Sequence, residues 1–527
     1  MTIRKPPKPF DVHAFSEDEL ARLLSVNSEA SIEVVRGKSH TAYLIGYLQD
    51  LGAKTILSEY GYTDQAFLED YAGYYVRCFH DYRSRCTRLH FFQLGFKQQA
   101  MSRLLAGHME SQFAKKLRES YLGFIVVRPL PYTVIGRTCL EAYPPEDRRH
   151  FLVIDEYPVN LFGIKLSVKR TLPFQEQDSV TAACATSALW SAFQKTGRLF
   201  PHHMPSPVEI TKAATMRFRV DERDFPSHGL TLSQMAHAII SVGLDPLPIK
   251  LNDEYSSTLL LQSTAYAYLQ GDLPVLLIAD IWDYTAPMRP KLKGPHALAI
   301  TGFSFGDEPA SPYGPTGFLL RSSRISKLYA HDDGVGPFAR MELQTPPAWV
   351  QTGKPTLSTS WANDDGEIGH LWAEGSVLLI PLYHKIRIPF SAVFALLSHF
   401  DEFMEELRKR KGLPLTQRLE WDIRLSQVNG LKGEFAISND IADHYRRTIL
   451  VTSLPRFIWC ATARSEDRKI MDLLFDATDI EQGSFFLRAV EYDADISHIL
   501  RTVAQDESLV DRPRTDVLWR ILGWFRE

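Results

Sequence analysis

At Tyr121 the hydrophobic pattern changes period, and that change restricts the chain to folds combining helices with sheet. Before it, residues 10–120 mix helical and extended patterns, with Thr63 as the expected N-cap of a helix aligning Phe67, Tyr71, Tyr74, Tyr75 and Cys78. Core and interface packing accounts for so many tyrosines better than a ligand cage does. After it come short apolar or alternating runs, GFIVVRPL, RTCLEAY, HFLVIDEY and LFGIKLSV, separated by proline, glycine and charge. Helical and strand patterns then alternate to the end. The expected fold class is α+β, multidomain. A length of 527 residues suits about three to four domains. The expected units are a mixed α/β domain over 1–120, a central domain with leading strands over 121–345, a linker or long loop over 346–375, and an α+β domain over 376–527.

The linker expectation rests on residues 344–375, which are dense in Pro, Gly, Ser and Thr. Beyond it, a helix opened by Ser391 carries Val393, Phe394, Leu397, Phe400, Met404 and Leu407 as an apolar stripe. It ends on Arg408, Lys409, Arg410 and Lys411 before Gly412. A basic last turn complements the helix dipole, which explains these charges better than nucleic-acid contact. A tail capped by Thr515 is apolar nearly all round but too short to span a bilayer, so it is expected to dock on protein.

Composition narrows the function classes. Hydrophobic residues make up 45% and charged residues 23%, which excludes a disordered or collagen-like chain. Lys plus Arg number 59 against 63 Asp plus Glu, for a net charge of −4. That lacks the basic excess of a dedicated nucleic-acid binder, and no nucleic-acid partner is expected. No apolar run reaches the ~18 residues a membrane span needs, and MTIRKPPKPFDVHAF lacks the apolar stretch of a secretory signal. Five cysteines, an odd number, suit a reducing compartment. A cytoplasmic protein without a membrane span is the expectation.

The chemistry concentrates in QEQDSVTAACATSALWSAFQKTG, Gln175 to Gly197. Thr181 is the expected N-cap and Gly197 the expected stop, with Ala185, Leu189, Ala192 and Phe193 on one face. Cys184 then lies in the first turn, where exposed N–H groups and the positive dipole end lower a thiol pKa from about 8.5. A small buried hydrophobe is the bland alternative for any single cysteine. Downstream, a Thr231–Gln234 capping box opens a further helix, QGDLPVLLIADI reads as a buried strand, and HALAITGFSF starts another strand at His296.

This order resembles the papain-like cysteine-peptidase superfamily, most of all the bacteriocin leader peptidases and their relatives, over about 177–341. The resemblance implies a central papain-like catalytic domain. It makes Cys184 the nucleophile, His296 the general base, and Gln177 an oxyanion donor beside the Cys184 backbone N–H. Asp332, in KLYAHDDGVGPFARM, stands where the family places the residue that orients the imidazole, with Asp333 as its rival. Gln175 competes with Gln177. The chain departs from the leader peptidases at Ala185, where they usually carry glycine, and at the spacing of Gln177 from Cys184.

What the resemblance implies is a hydrolase cleaving a peptide or isopeptide bond through a thioester, with no metal or cofactor. Its substrate would be a protein or peptide, and a regulatory protein partner is a further expectation, with the 306–316 insertion and 344–375 acting as lids. An acyltransferase using the same thioester, or a binding protein with an incomplete triad, are the alternatives. The chain lacks a C-x-x-C pair, an H-E-x-x-H motif and a P-loop. Cys78 with Cys86, His202 with His203, and His331 with Asp332 and Asp333 read better as structural residues than as metal ligands.

Overall fold

The computed structural model describes residues 8–107, 111–144, 148–178, 180, 183–216, 229–252, 256–286, 289–345, 353–363, 366–411, 413–441, 443–466, 468–479, 485–505 and 516–526. It opens with five antiparallel strands paired in order: β1 (Phe10–Ala14), β2 (Thr55–Tyr62), β3 (Cys86–Phe92), β4 (Tyr121–Val127) and β5 (Ile135–Leu140). Successive side chains alternate between two cores. Ile56, Phe91 and Ile125 pack with residues of the helices Glu17–Val26 and Ser39–Asp50, while Leu57, Phe92 and Phe124 pack on the other face. Burial on both faces is why β4 reads as an unbroken apolar run, whereas β3, buried throughout, also carries Thr87, Arg88 and His90.

Two expectations change here. β4 and β5 belong to this first sheet rather than leading into the central domain, because sheet membership is set by distant partners that local patterning does not reveal. The helix expected to start after Thr63 is capped by Asp64, whose side chain accepts the Phe67 N–H, and it ends at Gly73. A Cβ on Gly73 would come within 2.9 Å of Val208, so close approach of the helix Pro207–Thr215 fixes that glycine. Tyr75 lies beyond the helix end, buried against Phe67, Tyr74 and Tyr82.

β6 (Arg149–Phe151) crosses to a second sheet, and β7 (Asp155–Leu161) with β8 (Ile164–Thr171) forms a hairpin packed on the first. The second sheet closes on itself. After β9 (Asp245–Lys250) come β10 (Val275–Asp283), β11 (Lys291–Phe305), β14 (Ile325–Asp332), β15 (Gly336–Gln344), β16 (Thr356–Ser358) and β17 (Leu371–Leu382). These last six pair in order, β17 returns to β10, and β9 adds along β17. A six-stranded antiparallel barrel results, without open edges over the paired lengths.

Within 346–375, expected as a linker or long loop, described residues instead supply β16 and the first residues of β17 to the barrel. A composition dense in Pro, Gly, Ser and Thr does not by itself separate short barrel strands from a domain boundary. The insertion after Phe305 is likewise anchored. It forms β12 (Pro312–Tyr313) and β13 (Phe318–Leu320), and β13 pairs parallel with β18 (Glu420–Gln427). β18 continues into β19 (Phe457–Ser465), β20 (Arg468–Asp476) and β21 (Phe486–Glu491), giving a third sheet. The helix Phe390–Lys411 buries Val393, Leu397, Phe400, Met404 and Leu407 as expected and starts one residue before Ser391. Gly412 and Thr515 lie outside the described residues, while Ile521, Leu522 and Phe525 of the tail dock into the main core. No described helix is long and apolar enough to cross a membrane.

Candidate active site

Cys184 is the first residue of the helix Cys184–Leu199, and Ala183 caps it without a side-chain hydrogen bond. The first intrahelical backbone bond runs from Ser187 N–H to Ala183 O, at 3.0 Å. The N–H groups of Cys184, Ala185 and Thr186 precede it and have no intrahelical acceptor, which leaves the positive end of the dipole at the thiol. The expected cap Thr181 lies outside the described residues. Gly197 does not stop the helix. A Cβ there would meet Met204 at 2.6 Å, so the returning chain, not the helix end, requires glycine. Leu189, Trp190, Ala192 and Phe193 anchor the helix in the core, against β10, β11 and β14.

His296 sits within β11, opposite Ala279 of β10. The strand begins earlier than expected, at Lys291, because the exposed KLKG overhang still pairs with the end of β10. His296 marks the point where β11 passes from that exposed half into the buried one. Its Nε2 bonds Asp332 Oδ1 at 3.0 Å, and the Cys184 side chain is close enough to add to the raising of its pKa. With Nε2 engaged by the carboxylate, Nδ1 is the nitrogen left for the thiol. Burial disfavours the imidazolium. The Asp332 charge, the hydrogen bond to Asp332, the nearby Cys184 side chain and the Asp333 charge outweigh it and hold His296 well above the ordinary histidine range.

Asp332 ends β14 and is fully buried. Its Oδ1 accepts the His296 bond and the Gly334 N–H at 2.8 Å, and its Oδ2 accepts the Trp361 Nε1–H at 2.8 Å. Burial alone would raise this carboxyl. The His296 charge and these three donors hold it below its usual value. Trp361 escaped sequence reasoning, because it comes from the stretch read as a linker and carried no local signal. Its ring stands edge-on to His296, with centroids 6.1 Å apart.

Asp333 lies beside this pair, Oδ1 3.8 Å from His296 Nε2 and without a hydrogen-bond partner. Burial pushes its carboxyl up to about 7, with the charges of Asp332 and Glu176 adding to burial and that of His296 opposing it. Each of His296, Asp332 and Asp333 offers one ligand atom within 4.8 Å of the others. Three N–H donors already occupy the Asp332 oxygens, which suits an acceptor that orients a ring better than a metal ligand.

The two glutamines separate. Gln177 is exposed, and no hydrogen bond joins its side chain to another described residue. Gln175 is buried, and its amide nitrogen has no partner among the described residues. The segment between runs beside β5: Phe174 bridges Thr138, and Glu176 N–H donates to Ile135 O at 3.1 Å. Strand alternation turns His331 away from Asp332, into the core, where it bonds Leu172 O and the Phe338 N–H. His202 bonds Thr196 and His203 bonds Glu209. All five cysteines are free thiols. No protein-family model matches the chain, and no curated protein sequence matches it.

Proposed function

We propose that the chain is a cysteine hydrolase with a papain-like catalytic domain, acting on a peptide or isopeptide bond. One observation carries the reading. A single partly buried imidazole stands between a thiol at a helix N-terminus and a carboxylate held by three N–H donors. A histidine raised well above its ordinary range keeps its proton near neutral pH, so it can meet a thiolate and later protonate a leaving amine.

In that sequence the Cys184 sulfur attacks the carbonyl carbon and the C=O pair moves to oxygen. The oxyanion faces the N–H of Cys184, with Gln175 or Gln177 as the second donor. The pair returns as the C–N bond breaks, and the His296 proton passes to the departing amine, leaving a thioester. His296 then takes a proton from water, hydroxide adds to the thioester carbon, and the acid departs as the sulfur is released. Asp332 fixes the ring and stabilises the imidazolium without itself taking the proton.

The test is digestion of a diverse peptide mixture, read by mass spectrometry for new termini, with wild type and Cys184→Ala in parallel. New termini that vanish in Cys184→Ala support hydrolysis. Products joined to an added amine would assign the chain to acyl transfer instead. Neither product, together with no selective labelling of Cys184 by a small electrophile, overturns both enzyme readings.

A further inference from the structure

The N-terminal region enters the site through one helix end. Lys38 is the corner between the helices Ile32–Gly37 and Ser39–Asp50, C-cap of the first and N-cap of the second. Lysine is a poor N-cap: it offers no acceptor to the helix N–H groups, and its charge opposes the positive dipole end. Its ammonium is spent elsewhere, on the Glu176 carboxylate and on Tyr132 O at 2.7 Å. Glu176 lies in the segment leading to Cys184, and its second oxygen accepts the Ile135 N–H at 3.1 Å.

The next residues grip the opposite side of the site. Ser39 Oγ donates to Gly334 O at 3.0 Å, and the His40 ring Nε2 bonds Asp333 O. One turn later Tyr43 OH donates to Pro337 O at 2.8 Å. Its ring lies where a Cβ on Gly336 would come within 2.4 Å, at a φ of +156°. Lys38, Ser39, His40 and Tyr43 thus join the segment before the candidate nucleophile to the turn that follows Asp332.

We propose that the N-terminus of the helix Ser39–Asp50 is a positioning element of the active site, in which Lys38 and His40 hold the Glu176 segment and the Asp332–Gly336 turn in register. This rests on the cysteine-hydrolase reading. A lysine placed against helix rules, and a glycine conserving room for Tyr43, are local conflicts of the kind found where function sets the residue. The electrostatic consequence follows from what faces what. His296 is faced by Cys184, Asp332 and Asp333; Asp333 is faced by Glu176; and Glu176 is faced by Lys38, by His40 at 4.0 Å, and at its backbone oxygen by Arg128. Lys38 therefore neutralises the outermost negative charge behind the imidazole. Without it that charge adds to those of the two aspartates, stabilising bound protons at the thiol and the imidazole.

The experiment is alkylation of Cys184 by iodoacetamide, followed by peptide mass mapping from pH 5 to 9 on the full chain, with a thermal melt of each variant. Lys38→Met and His40→Ala are expected to slow labelling about tenfold at pH 7, the scale of a small misplacement of reacting groups. Lys38→Met moves the labelling midpoint to higher pH, Lys38→Arg restores it, and Glu176→Gln moves it to lower pH. A purely structural role lowers the melt without producing midpoint shifts of opposite sign. If Lys38→Met does not fold, Glu176→Gln is decisive alone, and an unchanged or raised midpoint in it overturns the proposal. Wild-type rates and midpoints in folded Lys38→Met and His40→Ala, with His296→Ala slowed, overturn the positioning role and leave the hydrolase reading standing. Wild-type labelling in His296→Ala overturns the hydrolase reading, and this proposal with it.

Discussion

Asp332→Asn is the substitution that probes the site most directly. Both carboxylate oxygens accept N–H donors: Oδ1 from His296 and Gly334, Oδ2 from Trp361. An amide has one oxygen, so either orientation sets its NH2 against at least one of these donors. Losing a hydrogen bond to a charged group costs about 1.5–3 kcal/mol, and removing one partner of a buried ion pair costs about 3–5 kcal/mol. Because the amide keeps part of the bonding, we expect a loss of about 3 kcal/mol at pH 6. The pH dependence has a definite sign. His296 is raised on folding, so its share of the stability is full below the unfolded value of about 6.5 and fades as pH rises through the folded value. Asp332 is lowered, so its share is present above about 3.9 and fades only in acid. The gap between wild type and Asp332→Asn should therefore be widest near pH 6 and narrower at pH 9.5. Urea denaturation followed by tryptophan fluorescence at the two pH values measures it. An equal gap at both, or an Asn variant as stable as wild type at pH 6, would refute the buried ion pair.

Three further outcomes follow from the same geometry. Substoichiometric iodoacetamide at pH 7 should modify Cys184 ahead of half-buried Cys78 and far ahead of Cys86, Cys139 and Cys460, whose thiols burial raises, Cys139 to about 12; peptide mapping showing Cys78 equal to Cys184 would remove the activated thiol. Trp361→Phe keeps a buried ring but deletes the donor to Asp332, so stability at pH 7 should fall by about 1.5–3 kcal/mol with slower Cys184 labelling, whereas wild-type values of both would make Trp361 packing only. Asp333 is raised on folding, so its ionisation destabilises the fold progressively from about pH 4 upward through its folded value; Asp333→Asn should gain on wild type between pH 5 and pH 8, and a denaturation midpoint difference that stays flat over that range would contradict a buried acid raised by folding.

Which parts of this arrangement are legible in the sequence depends on how far each part's cause lies along the chain. Cys184 at a helix start, the Thr231–Gln234 capping box and the apolar strand that follows His296 are set by neighbours within a few residues, so pattern and cap chemistry find them. The strand end at Asp332 before a glycine turn is also local, but its pairing with the imidazole is what the resemblance implies, with Asp333 as its rival. Trp361 reaches Asp332 only because β16 and β17 complete the barrel, and that closure pairs β17 with β10, whose side-chain patterns carry no address for each other. The same blindness assigns β4 and β5 to the wrong unit and turns 346–375 into a linker. Lys38 is the instructive intermediate case. Its partner Glu176 is as distant as any, yet its misfit is local: a lysine at a helix N-cap, followed by a histidine in the first turn, contradicts the dipole and offers no cap. Read for such contradictions as well as for agreement, the sequence would have pointed to the corner at Lys38 as a place where something remote sets the residue, without saying what. The identity of the remote partner is supplied by topology alone: the packing of the first sheet's helices on the barrel brings residue 38 to residue 176 and residue 40 to residue 333.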